Sequence, residues 1–169
     1  MKNITVESER LKIQSRSVEQ METLQRNEKD PELKQAYAEM IAAMKPIPNR
    51  EEWACDWAIE RKDGETVGGI GFKGVPDETG SVEIGYGIDE PHRRRGYATE
   101  AVGAMTAWAF KQPGVVRVTA QTEPGNETSQ KVLMKNGFVP CGTGSEGPLF
   151  EVKKQHGGPA HQYTSDYRR

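Results

Sequence analysis

The sequence has few cysteines, no excess of positive charge and no long apolar run, and each of these features excludes a class of function. The chain has two cysteines among 169 residues. Cys55 and Cys141 have no Cys or His neighbour at metal-ligand spacing, so we expect neither a disulfide framework nor a metal site. The formal net charge is −2, which offers no broad basic surface to nucleic acid. We therefore expect no metal and no nucleic-acid partner.

The apolar residues are too dispersed for a membrane protein. No uninterrupted apolar run is long enough to span a bilayer. The first residues, MKNITVESERLK, also lack the apolar segment of a signal peptide. The expectation is a cytoplasmic protein with no membrane partner.

The length and the pattern of the chain favour a single α/β domain. A chain of 169 residues can bury one ordinary core but is too short for two typical domains. We expect that domain over residues 1–154, followed by a mobile tail over residues 155–169, which shows no periodicity.

Hydrophobic periodicity places the secondary structure along this domain. Strands are predicted over residues 11–15, 53–59, 66–73, 81–88 and 115–122, from residue 138, and over residues 149–153. Helices are predicted from residue 18, from Pro31 with Asp30 as its N-cap, from about Thr99, and over residues 126–136.

The most informative segment is residues 81–98, where a strand runs through an Arg/Gly turn into a helix. Apolar residues alternate there with Glu83, Gly85 and Gly87, which predicts a half-buried strand with one small face. The backbone N–H groups of residues 94–98 would lie in the first helical turn, where unpaired donors and the positive dipole end favour a phosphate. Gly96 lets the backbone approach that phosphate closely.

A second glycine motif lies over residues 69–74 and matches the G-x-G-x-x-G pattern of dinucleotide sites. That site requires a helix immediately after the glycines, and here Pro76 and a polar turn follow. We interpret the motif as a glycine-rich strand beside a bound ligand or a bulged neighbour.

Two blocks of this chain resemble the GNAT acetyltransferases. RRRGYA, residues 93–98, matches their pyrophosphate signature, and NETSQKVLMKNGF, residues 126–138, resembles their second block. The ribosomal-protein N-acetyltransferase-like branch is the nearest in pattern. The resemblance implies a central mixed, mostly antiparallel twisted sheet of about seven strands with about four helices.

The resemblance also implies acetyl transfer from acetyl-CoA to a primary amine by direct attack. The acceptor would be a small-molecule amine or a protein N-terminal amine, and a homodimer is left open. The cofactor-binding residues it implies are Gly87, Ile88, Arg93, Arg94, Arg95, Gly96, Tyr97, Ala98 and Asn126. The backbone N–H of Ile88 would polarise the thioester, and Arg93 alternatively braces the turn. Asn126 has two compatible roles, as cofactor contact and as helix N-cap.

The resemblance nominates Glu83 as general base, acting through water or with a raised pKa. The alternative is a strand glutamate that pairs with a nearby Lys or Arg. Many members carry a tyrosine as general acid where this chain has Leu133, so Ser129 is the substitute, or else a plain helix-surface serine. His92 is interpreted as a turn residue rather than a base. The missing tyrosine leaves a different class open, a catalytically silent acyl-CoA sensor.

Overall fold

One eight-stranded mixed sheet forms the centre of the protein, in the order β1-β2-β3-β4-β5-β6-β8-β7. The computed structural model describes residues 3–155. Its strands are β1 Thr5–Glu7, β2 Leu11–Gln14, β3 Trp57–Arg61, β4 Thr66–Phe72, β5 Ser81–Ile88, β6 Arg117–Gln121, β7 Val139–Thr143 and β8 Pro148–Lys153. Neighbouring strands are antiparallel except β5 and β6, which run parallel.

Four α-helices flank this sheet: α1 Val18–Asn27, α2 Pro31–Met44, α3 Tyr97–Phe110 and α4 Glu127–Lys135. The sequence specifies their ends by local chemistry. Ser17 and Gln20 form a capping box at α1, and the Asp30 side chain accepts from Glu32 N at the start of α2. Gly137, with φ +83°, follows α4 and stops it in the left-handed conformation.

Residue alternation gives the two faces of the sheet opposite characters. An aromatic cluster of Trp53, Trp57, Phe72 and Trp108 joins one face to α3, with ring centroids 5.0–5.1 Å apart for its three closest pairs. The opposite face of β4 and β5 carries glycines instead. Side chains therefore fill the first face and leave space over the second.

β5 and β6 pair over only three residues and then diverge. Their parallel register covers Ser81↔Arg117 to Glu83↔Thr119, although β5 continues to Ile88. Lys73 N donates to Glu83 O, and Asp89 N donates to Val67 O. The alternation of an antiparallel pair then directs the N–H of Ile88 away from β4 and into the gap. The divergence thus leaves an open cleft lined by backbone donors and acceptors.

The fold class and the four helices predicted from the sequence are confirmed, while several details differ. The strand predicted over residues 53–59 begins only at Trp57, because residues 51–53 form a 3-10 turn and the Trp57 indole donates to Glu52 O. The extra strand, β1, is short and largely exposed, so it carries no clear alternation. α3 begins two residues before the predicted start. The mobility predicted for the tail concerns residues that, apart from Gln155, lie outside those the structure describes.

Within residues 3–155, no helix combines the length and the apolar character that a bilayer crossing requires.

Candidate active site

The turn between β5 and α3 forms a concave backbone cradle at the mouth of the cleft. Gly96 is the N-cap of α3 with φ +81°, and Arg94 also has a positive φ of +67°. A non-glycine residue in this region is uncommon and is held there by its surroundings. The first hydrogen bond of the helix runs from Glu100 N to Gly96 O. The amides of Tyr97, Ala98 and Thr99 therefore have no partner within the helix. They are available to an anion.

An arginine distant in sequence holds this cradle in place. Arg10, between β1 and β2, donates through Nη1 to the Arg95 carbonyl at 2.8 Å and through Nε to Glu100 at 2.7 Å. Its guanidinium also lies 4.8 Å from the centre of the Tyr97 ring. Sequence reasoning missed Arg10, because nothing local to residue 10 points to a helix that begins 87 residues later.

Glu100 completes this brace from the first turn of α3. It accepts hydrogen bonds from the Ser8 hydroxyl at 2.6 Å and the Arg10 amide at 2.7 Å. Burial alone would raise the pKa of the Glu100 carboxyl, but the hydrogen bonds from Ser8 and Arg10 outweigh burial and lower it. The carboxylate is therefore ionised at neutral pH and fixes the β1–β2 loop against the cradle.

The three consecutive arginines take different positions. Arg93 donates through Nε to the Ile88 carbonyl at 2.8 Å, so it makes the bracing contact that the sequence offered as its alternative role. The side chains of Arg94 and Arg95 are exposed beside the cradle. His92 lies in the preceding 3-10 turn, with its Nε2 3.3 Å from Glu65.

Glu83 forms the ion pair that the alternative interpretation predicted. Its carboxylate lies 2.7 Å from Lys73 Nζ and accepts a hydrogen bond from the Gln121 amide at 3.0 Å. Lys73 also contacts Glu146 at 3.0 Å. Burial alone would lower the pKa of Lys73, but its hydrogen bonds to Glu83 and Glu146 raise it. Glu83 nevertheless lines a cavity of about 360 Å³ that lies beside β5, β6 and the β7–β8 loop.

Ser129 and Asn126 lie at the start of α4, facing the end of β5. The Asn126 side chain accepts from Ser129 N at 3.1 Å, which is the N-cap role. The Ser129 hydroxyl lies 2.7 Å from the Tyr86 hydroxyl. Burial raises the pKa of Tyr86, and the hydrogen bond to Ser129 lowers it in part. Leu133 occupies the position at which many members of the family carry a tyrosine, and it is fully buried in the core.

A larger cavity of about 710 Å³ lies over the glycine face, between β4–β5 and the first two helices. Gly69 and Gly71 of the G-x-G-x-x-G motif, with Gly85 and Gly87, form its floor. Leu24, Leu33, Tyr37 and Met40 form apolar parts of its wall. The motif is thus a glycine-rich strand, as interpreted, and the helices lie over it as the walls of a chamber.

Asp56 and Arg16 form a partly buried ion pair at the edge of this chamber. Arg16 Nη1 donates to Asp56 Oδ2 at 2.6 Å and to the Asp56 carbonyl at 3.0 Å. Burial raises the pKa of the Asp56 carboxyl to about 6, although Arg16 lowers it in part. Sequence reasoning did not single out Asp56. The only signal was one carboxylate in an otherwise apolar segment, WACDWAI.

The residues of the site do not form a metal centre. In the part of the chain that the structure describes, no group of three or more His, Cys, Asp or Glu side chains could hold a metal ion. The cradle and the two cavities present backbone amides, carboxylates and hydroxyls together with cationic side chains, among them Arg16, Lys73 and Arg93.

Comparison with known proteins gives a family and a fold. The model of the acetyltransferase (GNAT) domain matches residues 7–139. The uncharacterised N-acetyltransferase YjdG of Bacillus subtilis is 48% identical over 84 residues, which cover 49% of this chain and 50% of that protein. The uncharacterised N-acetyltransferase YoaA of the same species is 34% identical over 111 residues, 65% of this chain and 60% of that protein. The chain thus matches about half to three fifths of the length of these relatives.

The solved structures agree in fold. Mycobacterium smegmatis RimJ in complex with CoA-disulfide has a TM-score of 0.72 at 18% identity, covering 96% of this chain and 94% of that one. The structure of a ribosomal-protein-serine acetyltransferase from Vibrio cholerae has a TM-score of 0.66 at 18% identity, covering 89% of this chain and 98% of that one. Both have the same arrangement of sheet and helices.

Proposed function

The chain belongs to the acetyltransferase (GNAT) domain family, and from that membership we propose that it transfers an acetyl group from acetyl-CoA to a primary amine. The observation that carries the proposal is the cradle at Gly96, which opens at the mouth of the β5–β6 cleft. A pyrophosphate site and a cleft that accepts an extended chain are the two features that a coenzyme A thioester requires.

The residues present fit this co-substrate. Gly96 at φ +81° exposes the amides of Tyr97 and Ala98, and Arg94 and Arg95 stand beside them for the phosphates. The amide of Ile88 faces the cleft, where it would stabilise negative charge on the carbonyl oxygen. Gly87 leaves open space above its Cα, and Asn126 caps α4 nearby. Acetyl-CoA supplies an activated acyl group with a thiolate leaving group.

The proton of the acceptor has to be removed before attack. An amine with a pKa near 10.4 is neutral in about one molecule in a few thousand at pH 7. In this proposal Glu83 accepts the proton through a chain of waters, because it lies four residues before Gly87, about 13 Å along the strand. Ser129, whose hydroxyl lies 2.7 Å from the Tyr86 hydroxyl, would donate a hydrogen bond to the departing sulfur, which can leave as a thiolate because a thiol has a pKa near 8.5.

The acceptor is proposed to be a small-molecule amine or a protein N-terminal amine. The ribosomal-protein-serine acetyltransferase of Escherichia coli, 28% identical over 78 residues, 46% of this chain and 44% of that protein, makes a protein acceptor a reasonable class to test. Neither the cleft nor the chamber contains a feature that favours a silent sensor.

The test is the release of free thiol from acetyl-CoA in the presence of a panel of primary amines and short peptides, with the acetylated product identified by its mass. We expect thiol release to depend on the acceptor. Tight binding of acetyl-CoA with no acetylated product from any member of the panel would contradict the proposal and would favour the sensor.

A further inference from the structure

We propose that Asp56 is the carboxylate that binds the ammonium group of the acceptor, and that the acceptor is an amine attached to an apolar group. The inference rests on the proposed amine acetyltransfer and names the substrate class of the same site. Asp56 would be the specificity-determining residue, and Glu83 would keep its separate role in proton removal.

The position of Asp56 is the first argument. A Cβ added at Gly69 would meet Asp56 Oδ1 at 2.5 Å, so the carboxylate rests directly on the Gly69 backbone. Gly69 is paired with Gly87 across β4 and β5, and partners in such a pair lie about 5.5 Å apart. Asp56 is therefore about one strand spacing from the end of β5, where the Ile88 amide faces the cleft.

The unused oxygen of Asp56 is the second argument. Arg16 occupies Oδ2, whereas Oδ1 accepts no hydrogen bond from any residue that the structure describes. The side chain is 16% exposed, and it is exposed to the chamber. A carboxylate that is largely removed from water is stabilised by a hydrogen-bonding cation. An ammonium in the chamber would supply one.

The walls of the chamber are the third argument, since they select what is attached to the ammonium. Leu24, Leu33 and Met40 are apolar, and Tyr37 is largely buried. Tyr37 and Asp56 both line the chamber, and burial, followed by the Asp56 charge, raises the pKa of Tyr37 to about 12. The remaining charged residues of its lining are Glu28, Lys73, Asp89, Glu90 and Arg93. An amine that carries an apolar group could place its ammonium at Asp56 and its apolar group against Leu24, Leu33 and Met40.

The test compares Asp56→Asn with the wild-type enzyme on acceptors that differ in charge. 2-Phenylethylamine and a short peptide with an N-terminal phenylalanine represent the small-molecule and protein sources, and both carry an ammonium. Aniline is the uncharged acceptor. Loss of a hydrogen bond between charged groups should raise the KM of the ammonium acceptors about 10- to 100-fold. We expect kcat, and the KM of aniline, to change less than about threefold.

Glu60→Gln is the matched control, because Glu60 lies on β3, which begins one residue after Asp56, and this substitution removes one carboxylate outside the chamber lining. The thermal shift that acetyl-CoA produces should be the same in both variants, which establishes that the cleft is intact. An unchanged KM for the ammonium acceptors, or an equal rise for aniline, would overturn the role of Asp56 and leave the proposed function standing. If the wild-type enzyme acetylates neither ammonium acceptor while other members of the amine and peptide panel give product, the inferred substrate class is overturned and the proposed function stands.

Two further measurements do not depend on the variant folding or on turnover. Calorimetry of 2-phenylethylamine with wild-type protein saturated with CoA should give binding that weakens as the pH falls through about 6, where Asp56 is protonated. The sign follows because the protonated carboxyl no longer attracts a cation. Arg16 and Asp89 also affect this titration. Absence of binding, or binding that is unchanged between pH 7 and pH 5, would overturn the inference.

Discussion

Glu83 and Glu146 both pair with Lys73. At the scale of single residues, substituting each glutamate in turn therefore distinguishes a catalytic role of Glu83 from a role in ion pairing alone. Both carboxylates lie within 3.0 Å of Lys73 Nζ. Glu83 lies on β5 beneath the cleft with its side chain 25% exposed, whereas Glu146 lies in the β7–β8 loop and is 60% exposed. A surface ion pair contributes little to stability. A large effect specific to Glu83 would therefore report chemistry.

Glu83→Gln should lower the turnover of an amine of high pKa by roughly 10²- to 10⁴-fold at pH 7, as expected for the loss of a general base. Acetyl-CoA affinity should not change, because the cradle lies beyond Glu83. The deficit should shrink as the pH approaches the pKa of the amine, since neutral amine is then available without a base. Steady-state rates across pH are the measurement.

Glu146→Gln is the control for that substitution, because it removes an equivalent partner of Lys73. It should leave turnover within about threefold of wild type, as for an exposed ion pair. If the two variants behave alike, or if the Glu83 deficit is constant with pH, Glu83 is a strand residue that pairs with Lys73 and the proton leaves by another route.

At the scale of elements, the sequence predicted what depends on neighbouring residues and missed what depends on distant ones. The β5–turn–α3 unit is contiguous, so its alternation, its glycine and its helix start could be read directly. Arg10 contacts Glu100 across 90 residues of sequence, and no local pattern records such a contact. Asp56 likewise gains its environment from β4 and from the α1–α2 pair. The turn between β5 and α3 was therefore predicted from the sequence, whereas the chamber around Asp56 was largely missed.

Gly96→Val tests the turn that is proposed to hold the pyrophosphate. A β-branched residue at φ +81° is strained by about 1–2 kcal/mol. Its Cβ would also lie 3.2 Å from Arg10 Nη2, so the side chain would displace the arginine that holds the cradle in place. Loss of one hydrogen bond to a charged group would weaken acetyl-CoA binding roughly 10- to 150-fold. Calorimetric titration of the variant with acetyl-CoA is the measurement.

Gly114→Val is the matched control, because Gly114 has φ +82° and an added Cβ there would meet nothing within 4 Å. It should lose similar stability in denaturant unfolding and retain wild-type affinity for acetyl-CoA. Equal affinities in the two variants would remove the pyrophosphate from this turn.

At the scale of the whole molecule, a ligand in the cleft connects two parts of the sheet that share only a short ladder. Strands β1–β5 form one part, and β6, β8 and β7 form the other. The two parts pair directly over only three residue pairs, so few backbone hydrogen bonds hold them together. A ligand that contacts both parts should stabilise the folded protein as a unit.

Acetyl-CoA at 100 times its Kd should stabilise the protein by about 2.7 kcal/mol. For a chain of this size that corresponds to a rise in Tm of roughly 5–11 °C. Free pantetheine, which lacks the pyrophosphate, should give a much smaller shift when measured by differential scanning fluorimetry. No shift with millimolar acetyl-CoA, or equal shifts with the two compounds, would contradict a cofactor site that spans the cradle and the cleft.

The divergence of β5 and β6 also has a consequence for solubility. A sheet edge with unpaired amides and carbonyls is a template for strand addition by another chain, and here the end of β5 has such an edge in the interior of the sheet rather than at its rim. Coenzyme A bound along this part of β5 would occupy the unpaired amides and carbonyls and prevent another chain from adding to them.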